Sequence, residues 1–597
     1  MRRTLPLLLA VSLLLVLFMP YTATAEERIV LTIGETTNRS NPRMTGDDQL
    51  GIWKYLGDRL GVEFRHVYMT EDEYASALAS GNLPDIVSTQ NKLATILENG
   101  VALNVEPYLE EYVPNFLQGD TRLAYDVIKD FMGDGEGFYF FPDRIGYNGT
   151  GYSNQPYNRG YIVRWDYYKE LGYPPINNED DYLRVLQQMH ANHPFTEEGY
   201  PTYLFGTTNK SGYSTAFRAE VSLDYWASYK YQNNIFTYEV FDGYTDPEHS
   251  MWWSSTAWSN KLYRAGREDG SFDMDLFTQT QEQYDAKVAR GQYLGLHQGK
   301  DLLYDAKVAE DPDTLAGYGT VPTAAANMYT NVYQLLGNGS MYMWFISANS
   351  PHWEAALKLF NYMCDPDFLR EIFLGEKGVT WDYGEDGVPC MTDYGREQLD
   401  AYNTGKAGED NYYARWGNYS ELPGRWPMLR ENMIHPDGYP LNFATLSRDF
   451  ALKTMTNNIS KDICEHYGVE LPSDAWYNLG GLDFRNDCGE AITSCMSSLN
   501  REQLRILTEA EAILEGIWPD LVLANTDTEF NTIREETLRE LTELGEPEVF
   551  AAYREKWDAA AAVIVPMVRQ AQTANGIELY TPEQYGRNRN DGTEEPR

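Results

Sequence analysis

Residues 29–91 alternate between strand and helix patterns, and this alternation restricts the fold more than any other feature of the chain. Three apolar runs are typical of strands, and the two segments between them are typical of helices: 29–33, 47–60, 62–67, 70–81 and 85–88. The second helix has a capping box, with Thr70 at the N-cap and Glu73 at N3, and it ends at Gly81. Strands that alternate with helices build a parallel sheet covered by helices, so the sequence predicts an α/β fold.

A second unit of the same design begins at Thr280. Thr280 and Gln283 form another capping box, the helix ends at Gly291, and residues 293–296 are typical of the next strand. Two such units, widely separated along the chain, favour two α/β lobes over one continuous sheet.

The rest of the chain is rich in helical patterns. A helix is predicted from Ser350-Pro351, with the apolar stripe Ala356, Leu359, Phe360 and Met363. Three more are predicted near the end of the chain, at 502–515, 529–544 and 547–561. Residues 582–597 are polar, with Asn, Gly and Pro, and are predicted to form a disordered tail.

The segment 1–25 has the pattern of a secretory signal peptide. Arg2 and Arg3 precede the apolar run 5–19, and Ala23-Thr24-Ala25 offers small residues for cleavage. The run is shorter than the roughly 20 residues of a membrane-spanning helix. We therefore expect an exported protein, and the alternative of an uncleaved N-terminal anchor stays open.

Composition excludes several classes of function. A net charge of −41 argues against nucleic acid and anionic lipid as partners. The chain contains no metal-protease, nucleophile-elbow, P-loop or dinucleotide-binding motif. We therefore predict that it is not an enzyme and that it has neither a cofactor nor a metal site. Of the five cysteines only Cys488 and Cys495 are close in sequence, and they are either a disulfide or two buried thiols.

Ligands of open α/β sheets sit beyond the carboxyl ends of strands. The polar loops after the first and third predicted strands are therefore candidate ligand-binding positions, although ordinary turn chemistry is the alternative. They contribute Glu35, Thr36, Asn38, Thr89, Gln90 and Asn91. Glu35 would bind hydroxyl groups or act as the counter-charge of a basic ligand.

Aromatic residues make up 14% of the chain. They indicate either a tyrosine-rich surface or a cleft in which rings stack on a ligand. Trp252, Trp253 and Trp258 lie in the polar stretch 251–260, which is predicted to be a loop. The rings predicted to stack on a ligand are Tyr225, Trp226, Trp253, Trp344 and Trp381.

Several segments resemble, in the same order, the family 1 extracellular solute-binding proteins, in particular the large branch found in Firmicutes. Residues 77–87, ALASGNLPDIV, resemble the "LASGDLPDIV" segment of that family. Weaker similarities occur at 163–172, 283–291 and 375–379. No cysteine precedes Cys364, so the chain lacks the lipid-attachment cysteine that most Gram-positive members carry.

The resemblance implies a type II periplasmic-binding-protein-like fold, with two lobes joined by hinge strands and a helix-rich C-terminal part. Lobe 1 would span 26–145 and 325–390, and the second lobe would span 146–324 and 391–597. It also implies a monomer that captures a small molecule, with an oligosaccharide as the expected ligand, and delivers it to a membrane permease of an ABC importer. Two alternatives stay open: a sensory or surface glycan-binding protein, and a secreted glycan-active enzyme.

Overall fold

The structure is a computed structural model. It describes residues 28–36, 43–46, 49–89, 93–131, 135–142, 145–147, 160–206, 227–232, 235–240, 244–248, 250–296, 307, 311–323, 328–331, 333–334, 343–417, 428–431, 433–446, 448–480, 482–485, 492 and 497–574. The predicted signal peptide, the predicted tail, Cys488 and Cys495 lie outside these ranges. Within them, no helix combines the length and apolar character needed to cross a membrane.

The elements follow the chain in this order. The strands are β1 (Ile29–Glu35), β2 (Val62–Tyr68), β3 (Ile86–Thr89), β4 (Phe141–Pro142), β5 (Gly146–Tyr147), β6 (Ile162–Arg164), β7 (Tyr203–Gly206), β8 (Ala227–Gln232), β9 (Ile235–Val240), β10 (Tyr293–Leu296), β11 (Tyr318–Thr320), β12 (Met328–Asn331), β13 (Tyr333–Gln334), β14 (Met343–Ile346), β15 (Trp381–Tyr383), β16 (Pro389–Met391) and β17 (Leu482–Arg485). The helices are α1 (Gly51–Leu60), α2 (Glu71–Ser80), α3 (Leu93–Glu98), α4 (Leu109–Tyr112), α5 (Gly119–Phe131), α6 (Trp165–Glu170), α7 (Glu179–Asn192), α8 (Met251–Gly266), α9 (Gln281–Ala289), α10 (Trp353–Tyr362), α11 (Pro366–Leu374), α12 (Asp393–Asn403), α13 (Tyr412–Trp416), α14 (Arg448–Lys453), α15 (Asn458–Tyr467), α16 (Pro472–Leu479), α17 (Arg501–Val522), α18 (Asp527–Leu544) and α19 (Glu546–Ala574).

Lobe 1 is built on a five-stranded sheet in the order β2-β1-β3-β14-β4. β1 runs parallel to both β2 and β3, whereas β14 runs antiparallel to β3 and β4. Helices α1 and α2 connect the parallel strands, as the alternation in the sequence predicts. Leu31, Ile33 and Phe64 of the sheet are fully buried, together with Trp53 of α1.

Both predicted capping boxes are confirmed. The Thr70 hydroxyl accepts a hydrogen bond from the backbone N–H of Glu73 at 3.3 Å, and the Glu73 carboxylate accepts one from the backbone N–H of Thr70 at 2.8 Å. Thr280 and Gln283 form the same pair of bonds at the start of α9. Gly81 ends α2 with φ of 71°, a conformation that favours glycine.

Lobe 2 is built on a four-stranded sheet in the order β11-β6-β10-β7. β10 runs parallel to β7, and β6 runs antiparallel to β10 and β11. Helix α7 packs against this sheet through Tyr182 and Leu186, both fully buried. The two separate sheets confirm the predicted α/β architecture with two lobes.

The two lobes are joined through a pair of short antiparallel strands. β5 leaves lobe 1 after β4, and β13 returns to lobe 1 before β14; Tyr147 pairs with Tyr333, and Gly146 with Gln334. A third segment lies beside them, because the backbone N–H of Arg430 donates to the Ile145 carbonyl at 2.9 Å. These short crossing segments are a candidate hinge, because hinges are formed by a few loop or element-terminal residues that absorb changes of backbone angle.

The stretch 251–260, predicted to be a loop, is part of helix α8, so this prediction is wrong. Its serines do not break the helix, because their hydroxyl groups bond to carbonyl groups one turn earlier: Ser254 to Ser250 at 2.9 Å and Ser259 to Ser255 at 3.0 Å. The helix buries a broad face against α17, which lies far from α8 along the chain. Packing from a distant segment overrides the local polar composition.

The predicted start of a helix at Ser350-Pro351 is also wrong, because α10 begins at Trp353. The Ser350 hydroxyl donates to the Asp85 carboxylate at 2.6 Å, which ties this turn to the loop before β3. The predicted apolar stripe is nevertheless confirmed, since all four of its residues are fully buried: Ala356, Leu359, Phe360 and Met363.

The C-terminal half packs on both lobes. Helix α13 lies on α1, where the rings of Trp416 and Tyr55 are 5.3 Å apart, and Arg370 of α11 holds Asp437. Helix α15 instead binds lobe 2 through Asp462, and α17 packs on α8. Helix α19, at the end of the described chain, also contacts α5 of lobe 1. The predicted division of the chain into lobes, with its boundary at residue 390, stays a prediction.

Asp462 links α15 to lobe 2 through three partners. Its carboxylate accepts hydrogen bonds from Trp165 Nε1 and the Tyr173 hydroxyl, each at 2.7 Å, and pairs with Lys169. Burial acts to raise the pKa of Asp462, but the hydrogen bonds from Lys169, Tyr173 and Trp165 outweigh burial and hold that pKa below its usual value.

We expect this network to make stability depend on pH. A carboxyl group with a lowered pKa in the folded state stabilises the fold above its unfolded pKa of about 3.9, and this stabilisation is lost as pH falls through the folded pKa. Asp462→Asn should therefore unfold at lower urea concentration than the native chain at neutral pH, and the difference should shrink below about pH 4. The exposed Asp72→Asn is the control; a difference that stays constant with pH would contradict the assignment.

Candidate functional site

The carboxyl ends of the parallel strands in lobe 1 lie at the edge of the sheet that faces the hinge. Met343, the first residue of β14, pairs with Thr89, the last residue of β3, and with Pro142, the last residue of β4. The chain enters the hinge directly after Pro142 and returns from it shortly before Met343. The ends of β1 and β3 are thereby turned toward lobe 2.

Lobe 2 presents the equivalent edge of its sheet. Its parallel strands β7 and β10 end at Gly206 and Leu296, and Leu296 pairs with Ile162, the first residue of β6. β6 is the first strand of this sheet after the hinge, and β11 is the last before the chain returns to it; Thr320 at the end of β11 also pairs with Ile162. The order of the chain thus places the carboxyl ends of both sheets next to the hinge, and open α/β sheets bind ligands beyond such ends.

The structure brings three of the predicted polar residues together at the lobe 1 edge. Glu35 and Thr36 lie at the end of β1, and Thr89 ends the neighbouring β3, one residue beyond the partner of Glu35, Ser88. Thr36 is half-buried, whereas Glu35 and Thr89 are almost fully buried. The other predicted positions in these loops, Asn38, Gln90 and Asn91, lie outside the described residues.

Glu35 has a histidine neighbour that sequence reasoning did not find. His66 Nε2 lies 3.2 Å from a Glu35 carboxylate oxygen, and the two side chains are only 11% and 2% exposed. His66 is on β2, and the parallel register places it opposite Ile33, two residues before Glu35 and on the same face of the sheet. The alternation of β2 gives the only sequence signal for this contact, since the two residues are far apart along the chain.

Two hydroxyl groups near this edge were also missed. Ser88 is fully buried beside Glu35, and its hydroxyl has no hydrogen-bond partner among the described residues. Tyr74 of α2 is fully buried, and burial raises the pKa of its phenol to about 12, an effect that a hydrogen-bonding interaction with Thr89 partly offsets. Tyr74 is therefore a neutral phenol at physiological pH.

The tryptophans predicted to stack on a ligand are core residues in this structure. Trp253, Trp344 and Trp381 are each 2% exposed or less. The indole N–H of Trp253 donates to the Tyr244 carbonyl at 2.6 Å, and that of Trp381 donates to the Gly375 carbonyl at 2.9 Å. Their packing favours a structural role, and their role in stacking stays a prediction. Tyr225 and Trp226 lie outside the described residues.

In the part of the chain that the structure describes, no group of three or more His, Cys, Asp or Glu side chains is placed to hold a metal ion. Cys364 and Cys464 are buried free thiols, and Cys390 is an exposed one. Burial raises the pKa of Cys364 well above that of an ordinary thiol, so it is protonated and unreactive.

Comparison with protein-family models and with curated proteins gives no match. Comparison with solved structures does. The alginate-binding protein AlgQ2, crystallised without calcium ion, superposes with a TM-score of 0.52 at 13% identity, over 89% of this chain and 99% of that one. The S. pneumoniae ABC-transporter substrate-binding protein FusA, in complex with kestose, gives 0.54 at 14% identity over the same shares of the two chains. An ABC-transporter-associated HMO-binding protein from Bifidobacterium longum infantis gives 0.52 at 13% identity, again over 89% and 99%. At such identities the likeness shows that this chain shares their fold.

Proposed function

We propose that the chain is the substrate-binding protein of an ABC importer, of the family 1 type, and that it captures an oligosaccharide between its two lobes. The observation that carries the proposal is the arrangement of the carboxyl edges of two α/β sheets on either side of a strand-built hinge. The proteins with this fold named above bind alginate, kestose and HMO, which supports a saccharide as the ligand here. Export through the segment 1–25 would place the protein on the side of the membrane where such ligands are met.

The ligand site is proposed at the strand ends described above. Glu35, Thr36 and Thr89 would bind hydroxyl groups of the sugar, and Tyr225 and Trp226 would supply stacking rings. Each polar contact is selective, because a polar group left unpaired on closure costs about 1–3 kcal/mol. This chemistry needs neither a cofactor nor a metal ion.

A thermal-shift screen tests the proposal. The probes are neutral oligosaccharides, uronate-containing oligosaccharides and, as a control class, short peptides. At 100 times the dissociation constant a bound ligand adds about 2.7 kcal/mol to the free energy of unfolding, which raises the melting temperature measurably. A shift with saccharides supports the proposal, and a shift with peptides alone, or with none of the probes, contradicts it.

A matched pair of variants tests the position of the site. Thr36→Val removes one hydroxyl at the lobe 1 edge with little change of shape. We expect it to weaken saccharide binding about tenfold, the loss of one buried polar contact. Thr528→Val makes the same change at an exposed position on α18 and should leave binding unchanged. Equal affinities of the two variants in calorimetric titration would place the ligand elsewhere.

A further inference from the structure

A groove with a volume of about 1060 Å³ lies between helix α1 and the segment that includes α13. One wall is the exposed face of helix α1, and the other is formed by α13, the turn before it and Tyr394 of α12. None of the residues considered above as ligand contacts lines it. The groove is therefore separate from the strand ends of the interlobe space.

One end of the groove lies at the carboxyl edge of the lobe 1 sheet, the edge next to the hinge. Helix α1 follows β1, so its first turn lies at the carboxyl edge of the sheet and its last turn near the opposite edge. A Cβ atom on Gly51 would lie 3.0 Å from the Trp416 ring, so the end of α13 is packed against this first turn. Arg43 and Gln49, which precede α1, line the groove at this end, and Arg59 lines it at the other. At 1.5 Å per residue α1 is about 13 Å long, so the groove extends about that distance from the carboxyl edge of the sheet.

Four aromatic rings line the groove. Tyr55 and Trp416 lie with ring centroids 5.3 Å apart, Trp416 and Tyr412 5.6 Å apart, and Tyr412 and Tyr394 6.3 Å apart. The outermost ring, Tyr394, is 47% exposed and offers a face to solvent. Rings of this kind stack on the apolar faces of sugars as well as on other rings.

The charges that line the groove cancel. The four basic residues are Arg43, Lys54, Arg59 and Arg415, and the four acidic ones are Asp58, Glu376, Glu409 and Asp410. Several are paired with one another or with neighbours: Lys54 lies 2.5 Å from Asp58, Arg59 lies 3.0 Å from Glu371, and Arg415 pairs with Asp410. A uronate chain would find no excess of positive charge here, and the whole chain carries a net charge of −41. A neutral glycan, in contrast, can form hydrogen bonds to these charged side chains through its hydroxyl groups. It brings no charge of its own, so the ion pairs stay intact.

We propose that this groove is an extension site for a neutral glycan, in which the part of a long oligosaccharide that does not fit between the lobes lies along α1 and stacks on Tyr394. The proposal rests on the proposed function, since it needs the other end of the glycan to be held between the lobes. It specifies the ligand as neutral and longer than the interlobe site.

The test is the dependence of affinity on glycan length in calorimetric titration. The probes are linear neutral fructan, xylan, mannan and chitin oligosaccharides, from trisaccharide to octasaccharide. For the series that binds, Tyr394→Ala should weaken binding of the octasaccharide about three- to tenfold, the size of one lost ring contact, and leave the trisaccharide unchanged. Tyr200→Ala is the matched control, because Tyr200 is a 39% exposed tyrosine of lobe 2 with Arg290 4.8 Å from its ring centroid. It should alter neither affinity.

Each other result counts against the inference in a different way. Equal loss for the trisaccharide and the octasaccharide, or no loss for either, overturns the extension site and leaves the proposed function standing. An equally strong length effect with a uronate chain overturns the assignment to neutral glycans. Binding of no saccharide by the native chain overturns both the inference and the proposed function. We expect the unliganded Tyr394→Ala variant to melt at the same temperature as the native chain. A lower melting temperature would mean that the loss of affinity reflects a damaged fold and would count against the extension site.

Discussion

Replacing Asp437 with alanine is expected to lower the free energy of unfolding by about 3–5 kcal/mol, the cost of leaving a buried charge without its partner. The partner is Arg370, whose side chain is fully buried. Its two Nη atoms donate to the two oxygens of the Asp437 carboxylate, and Nη2 also donates to the carbonyl groups of Tyr439 and Pro440. The variant would remove the charge that balances the guanidinium and release the loop that holds it.

An exposed pair of the same residue types provides the control. Asp410 pairs with Arg415, but their side chains are 92% and 66% exposed, so Asp410→Ala should cost about 0–1 kcal/mol. Both free energies come from urea unfolding of the unliganded chain. Similar losses for the two variants would mean that the Arg370 network does not hold residues 433–446 to lobe 1.

Replacing Asn260 with alanine is expected to cost about 2–4 kcal/mol, because it leaves buried carbonyl groups without a donor. Asn260 is on α8, and its side-chain amide donates to the carbonyl groups of Leu521, Val522 and Ala524, at 3.1, 2.9 and 2.7 Å. Leu521 and Val522 end α17, and Ala524 lies two residues beyond it. The Leu521 carbonyl also accepts from the backbone N–H groups of Leu523 and Ala524, so the loss of the amide falls on the Val522 and Ala524 carbonyl groups, at a helix end that lacks further intrahelical donors. The asparagine thus caps a helix that is distant from it in the sequence.

Asn403→Ala is the matched control for this cap. Asn403 donates to a single carbonyl group, that of Leu399 at 2.9 Å, and is exposed. We expect it to cost less than about 1 kcal/mol in the same urea titration. An Asn260→Ala loss as small as the Asn403→Ala loss would show that the α8–α17 contact contributes little to stability.

The parts of the fold that depend on a few neighbouring residues are predictable from sequence. Each capping box needs two side chains three residues apart, and Thr70 with Glu73 forms the pair as expected. The strands of residues 29–89 are short apolar runs, and the apolar residues of α1 and α2 recur with the spacing of a helix. These local signals are enough to give parallel strands and, through topology, the edge at which Glu35 and Thr89 meet.

Contacts between distant segments are not predictable in this way. The polar composition of 251–260 favours a loop, and only the face offered by α17 makes it a buried helix. Burial of Trp253, Trp344 and Trp381 depends in the same way on what packs around them, which the clustering of rings in sequence does not reveal. The Glu35–His66 contact and the groove beside α1 arise from tertiary packing, so no pattern within one segment marks them.

Small-angle X-ray scattering, with and without a saturating oligosaccharide, tests most directly the claim that the two lobes close on a sugar. The probe is the saccharide that gives the largest shift in the thermal screen. We expect binding to lower the radius of gyration, because the lobes move together about the β5–β13 hinge, and a peptide control to leave it unchanged. A saccharide that binds without changing the radius of gyration, or the absence of any saccharide that binds, would contradict the account.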